Sequence, residues 1–131
     1  MPYSMNEMQM DNVLALNSEE RYLHFLNKVA DWEQLWILCD DEGHIYTRST
    51  DEIEYLTVWP HPVYAKEFEK VIDVNLDVSE ITLNEFMENW LPGLESDDLK
   101  VGVFPDAEGK IWIIESKDLL AALEDECEQY E

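Results

Sequence analysis

Ile53-Glu54-Tyr55-Leu56-Thr57-Val58-Trp59-Pro60-His61-Pro62-Val63-Tyr64-Ala65-Lys66-Glu67-Phe68 is the stretch whose reading decides the fold. Its first seven residues are rich in β-branched and aromatic side chains, which predicts a strand ending at Trp59. Pro60 has no N–H to give to a sheet ladder, so the strand stops there. Pro62 carries the fixed φ that suits the first position of a helix. His61 lies between the two prolines. A residue before proline avoids the helical region, so His61 is expected to be extended and to sit at the helix cap. Tyr64, Phe68, Val71 and Ile72 then recur at helical spacing. A strand is delivered directly into a helix, with Trp59 and His61 at the corner.

A corner of this kind is a candidate ligand or partner site, and Trp59, His61 and Tyr64 are its candidate residues. The first amides of the helix and its dipole favour an anion. Neither a glycine-rich phosphate loop nor a basic cluster accompanies it. The competing reading makes Trp59 a core residue and His61 a simple cap.

Working back toward the N-terminus, Gln34-Leu35-Trp36-Ile37-Leu38-Cys39 is apolar on both alternations, the pattern of an inner strand covered on both faces. Asp40-Asp41-Glu42-Gly43 turns the chain, with Gly43 free to take a positive φ. His44 to Arg48 returns antiparallel, and with the strand ending at Trp59 it completes a three-stranded meander. Upstream, Asn17 and Glu20 have the spacing of a capping box. Tyr22, Phe25, Leu26 and Val29 follow at i, i+3, i+4 and i+7, with His24 off that line and partly exposed. Residues 1–11, with four methionines, read as a flexible arm or a short helix that docks loosely.

Working forward, residues 71–78 alternate apolar and polar, which predicts a half-buried edge strand or an extended loop. The acids there discourage edge-to-edge pairing. Thr82 and Glu85 form a second capping box. Leu83, Phe86, Met87, Trp90, Leu91 and Leu94 make the strongest helical stripe of the chain, ended by Pro92-Gly93. Residues 99–104 and 111–114 predict another hairpin, and Gly102 within it suggests a bulge or a close approach by another backbone. Ser116 is placed to cap a last helix with Leu119, Leu120, Leu123 and Cys127 on one face. Acids crowd the C-terminal end of that helix, the unfavourable end of its dipole.

Together these elements predict a single α+β domain over residues 1–131. It has a mostly antiparallel sheet of five or six strands packed with about four helices. At 131 residues the chain is long enough to bury a real core. Two cysteines, Cys39 and Cys127, both on apolar positions, read as buried thiols in a reducing compartment. No secretory signal and no membrane-spanning run is visible, so a cytoplasmic location is expected.

The net charge of −23, from 31 acidic and 8 basic side chains, limits what the protein can bind. No basic stripe exists to neutralise phosphates, so direct nucleic-acid binding is excluded, and anionic membranes are disfavoured for the same reason. A basic protein partner is permitted, and so is a divalent cation. Enzyme motifs are absent: no nucleophile elbow, P-loop, dinucleotide fingerprint or zinc-type pairing of Cys and His occurs. No catalytic residue, metal ligand or cofactor is assigned. The two acidic turns lack the ligand series of a calcium loop.

Trp59-Pro60-His61-Pro62-Val63-Tyr64-Ala65 and Trp90-Leu91-Pro92-Gly93-Leu94 resemble segments of a bacterial family, domain of unknown function 2750, over about Arg21 to Leu123. The resemblance implies a small single domain. It implies no established activity and carries over no catalytic residues. The function expected from charge and motifs is a non-catalytic protein-interaction or regulatory module that binds a basic partner. The alternatives are an enzyme with a site near His61 and a nucleic-acid mimic or toxin-neutralising protein.

Overall fold

The computed structural model describes residues 7–40, 42, 44–49, 52–72, 76–105 and 110–128, with backbone alone at 7–10, 71 and 72. In chain order the elements are α1 (Glu7–Leu14), α2 (Ser18–Trp32), β1 (Gln34–Cys39), β2 (Thr47–Ser49) and β3 (Glu54–Val58). They continue with α3 (Pro62–Ile72), β4 (Asp77–Thr82), a helical run α4 over 83–96, β5 (Lys100–Val103), β6 (Trp112–Ile114) and α5 (Ser116–Glu128). The architecture is α+β, with five helices among the described residues rather than about four. The expected turn residues Asp41 and Gly43, and most of the loop between β5 and β6, lie outside the described residues.

The strands form two sheets, not one of five or six. One holds β1 and β4; the other has the order β2-β3-β5-β6. All pairings are antiparallel except that of β3 with β5. The sheets meet where the N–H and C=O of Trp36 exchange hydrogen bonds of 2.9 and 3.0 Å with Trp59. Among the described residues, backbone pairing between the sheets at this point is that single bridge, Trp36 with Trp59, immediately before Pro60. The expected meander is therefore partial. β2 and β3 form a hairpin, but β1 reaches the returning chain only at a second bridge, Cys39 with Ile45. Its lengthwise partner is β4.

β1 is buried along its whole length, as its doubly apolar pattern requires. The core joins Phe25 and Val29 of α2, Leu35, Ile37, Leu38 and Cys39 of β1, Leu56 and Val58, Tyr64 and Phe68, Phe86 and Leu91, Val101 and Val103, and Leu119 and Leu123. Among the described residues, no helix is long and apolar enough to cross a membrane.

Three local expectations are corrected. Residues 71 and 72 close α3 instead of opening a strand, and the edge strand starts at Asp77. The helix does not end at Pro92-Gly93 but runs on to Ser96. It passes the proline through a π-helical turn, Phe86–Trp90, in which the Leu91 N–H reaches Phe86 five residues back. The wider turn absorbs the hydrogen bond that Pro92 cannot make. Ser116 is the first residue of α5, and its hydroxyl donates to the Leu99 carbonyl at 3.0 Å. It ties the helix to the start of β5.

The caps follow the sequence more closely. Asn17 Oδ1 accepts from the Glu20 N–H at 2.8 Å, and Glu20 Oε1 from the Asn17 N–H at 3.3 Å. Thr82 Oγ1 accepts from the Glu85 N–H at 3.3 Å.

Candidate functional site

The corner between β3 and α3 has the predicted geometry. His61 sits just before α3, and its Nδ1 accepts from the Val63 N–H at 3.2 Å. An accepting Nδ1 carries no proton, which places the ring's N–H on Nε2 when the imidazole is neutral. The half-buried ring lies 6.2 Å from the ring centres of both Trp36 and Tyr64. Trp59 and Tyr64 are buried. The Trp59 indole donates to the Pro105 carbonyl at 3.2 Å, and its ring packs 5.5 Å from Phe68. Tyr64 packs 4.5 Å from Phe104. The structure thus brings His61 and Tyr64 into ring contact, while Trp59 joins Tyr64 in the core through separate partners, Phe68 and Pro105. Two of them face the interior, and the third uses a ring nitrogen to cap the helix.

Linked to that corner through Phe104 is a group the sequence reading passed over. Arg21, on the first turn of α2, is buried. Its Nε donates to the Phe104 carbonyl at 3.1 Å, and its terminal nitrogens donate to the carbonyls of Leu16 and Lys110. The signal was present: Arg21 begins the row Arg21, Phe25, Val29 at four-residue spacing. Phe104 itself is buried at φ 54°, the left-handed region that non-glycine residues rarely adopt. Beside it, 6.2 Å ring to ring, is His24. Burial, with help from Lys28, pushes the His24 imidazole down to about 4. Its Nε2 is buried without a hydrogen-bond partner among the described residues. His24 is partly exposed as expected, but its ring tip faces inward.

The open part of the surface is acidic. Two grooves of about 190 and about 490 Å3 share Asp98, Leu99 and Lys100. The larger is lined by Glu52, Glu54, Asp97 and Asp98, with Lys100 the one cation among the described lining residues. The Lys100 ammonium lies 2.9 Å from Glu115 Oε1. That hydrogen bond holds the Glu115 carboxyl below the usual range, with the charges of Lys100 and Lys117 adding to it. The lysine is thus committed to Glu115 on the side of the smaller groove. Elsewhere, the His44 backbone N–H holds the Asp40 carboxyl below its ordinary value. Among the described residues, no group of three or more His, Cys, Asp or Glu is arranged to hold a metal ion.

A family model described as protein of unknown function DUF2750 matches residues 22–123. The chain belongs to the DUF2750 family. The match covers the aromatic corner, both acidic grooves and most of the core. Arg21 falls one residue outside it. No curated protein matches the chain.

Proposed function

We propose that this DUF2750 protein is a non-catalytic interaction or regulatory module that binds a basic protein partner. The observation that carries the reading is the larger groove. Among the described residues, four carboxylates, Glu52, Glu54, Asp97 and Asp98, line an open concavity whose one lysine is already engaged by Glu115. A lysine or arginine side chain entering it meets uncompensated negative charge. The net charge of −23 extends that attraction beyond the groove and steers a basic partner during approach. The burial of Trp59 and Tyr64 supports a role for them in shaping the domain rather than in handling a ligand.

The test is affinity capture from the native cell lysate at low and high salt, with the wild type and a Glu54→Gln, Asp97→Asn, Asp98→Asn triple variant as baits. The expected result is one basic protein held by the wild type at low salt, released by salt and missed by the variant. Capture of no basic protein at any salt, or equal capture by both baits, overturns the reading.

A further inference from the structure

The hydrogen-bond pattern of β1 determines which backbone groups of β4 are left over. Trp36 spends its N–H and C=O on Trp59, and the Leu38 carbonyl accepts from Tyr46. Backbone groups alternate sides along a strand, so Leu35, Ile37 and Cys39 turn theirs toward β4. Their partners in register are Ile81, Ser79 and Asp77. The Leu83 N–H continues the same ladder to the Glu33 carbonyl at 2.9 Å. Val78 and Glu80 therefore direct both N–H and C=O away from β1, and among the described residues no strand pairs with that side of β4.

We infer that this open edge is a docking site for an extended, basic polypeptide segment that adds a strand beside Val78 and Glu80. The inference rests on the proposed function and deepens it, by naming the conformation in which a basic partner is held. Backbone pairing supplies affinity in such strand addition, and alternate side chains supply specificity. The two faces of β4 differ toward its C-terminal end. Glu80 and Thr82, which share a face with half-buried Val78, are exposed, whereas the opposite face runs from exposed Asp77 through half-buried Ser79 to buried Ile81. A cation facing Glu80 lands on the charged side, and an apolar residue falls on the side of Ser79 and Ile81. The same acids select against the commonest wrong occupant. A second copy of this chain would set carboxylate against carboxylate on a molecule already at −23.

The experiment uses the full chain and a blocked hexapeptide of alternating lysine and valine, followed by amide hydrogen exchange. Peptide binding is expected to slow exchange at Val78 and Glu80, amides that exchange freely without it. N-methylating the peptide keeps its charge, removes its donors and is expected to weaken binding about tenfold. Glu80→Pro, which deletes an outward N–H at a tolerated edge position, should weaken binding more than Glu80→Gln, which deletes only charge. Peptide that binds equally well when methylated, with no protection at Val78 and Glu80, overturns the edge and leaves the acidic-surface reading standing. Failure of the peptide to bind also overturns the edge, while the lysate capture judges the broader reading separately. Protection that rises with protein concentration in the absence of peptide reveals self-pairing and overturns the basic occupant.

Discussion

Arg21 Nε donates to the carbonyl oxygen of Phe104 across 3.1 Å, joining residues 83 positions apart in the chain. The bond holds a buried residue in the left-handed region at the point where β5 ends. The next carbonyl, that of Pro105, accepts from the Trp59 indole. Two side chains from different elements thus grip consecutive carbonyls. A buried cation is costly unless hydrogen bonds replace its water, and carbonyl oxygens do so here.

Arg21→Met is expected to lower stability by about 3–5 kcal/mol, since it strands several carbonyls in the interior. Arg21→Lys should recover only part of the loss, because an ammonium cannot reproduce the planar fork. Urea unfolding of the three proteins measures both effects. A loss under about 1 kcal/mol for the methionine variant would show that water reaches these carbonyls.

His24 makes stability depend on pH in a defined window. Its value in the fold is about 4, against 6.5 for the free side chain. Between those values the unfolded chain binds more protons, so stability rises with pH there. The contribution is complete above 6.5 and is lost as pH falls toward 4. Solvent screening of the half-buried ring reduces it to about 1–2 kcal/mol. The stability difference between wild type and His24→Phe isolates this effect from the many carboxylates. It should be flat above pH 6.5 and move against the wild type below it; a flat difference down to pH 4 contradicts the burial of Nε2.

Gly102 pairs regularly with Thr57 and Ile113, so it marks no bulge. A Cβ placed on it would lie 2.3 Å from Ile111 Cδ1 and 2.6 Å from Tyr55 Cδ2. The close approach is by side chains rather than by backbone. Gly102→Ala is expected to cost about 1–3 kcal/mol through overpacking. Restoration by a second change, Ile111→Val, would confirm the contact in a double-mutant cycle.

Trp59 and Trp90 separate two kinds of tryptophan. Trp59→Ala empties a sealed site and is expected to cost about 3–5 kcal/mol. Trp90 is half-buried within the π-helical turn, so Trp90→Ala should cost clearly less. Trp59→Phe should lose about 1 kcal/mol with the Pro105 bond. Thermal or urea unfolding of the three variants gives the order, and a larger loss at Trp90 than at Trp59 reverses it.

The elements governed by local rules were legible in the sequence. The Asn17 cap, the proline-bounded corner and the doubly apolar β1 each depend on neighbours a few residues away. What escaped depends on distant partners. Nothing local says that β1 pairs with β4, because the apolar run of β1 suits any inner position. The passage of α4 through Pro92 needed a widened turn upstream, and Pro92-Gly93 alone has the form of a stop signal. Arg21 was missed because a charged residue at the head of an apolar row is indistinguishable from a solvated one until its carbonyl partners are placed. At the candidate site, the strand-to-helix corner that carries Trp59, His61 and Tyr64 was readable, but the direction each side chain faces was not.

The parallel pairing of β3 with β5 also sets a kinetic expectation. The strands cannot meet until the chain between Val58 and Lys100 has closed into a loop, and that loop must pack α3, β4 and α4 on the way. The entropy of closure is spent before the contacts that offset it form. Refolding should therefore proceed in milliseconds or slower, and its rate should respond to substitutions at Leu56 and Val101 more than to those in the β2–β3 hairpin.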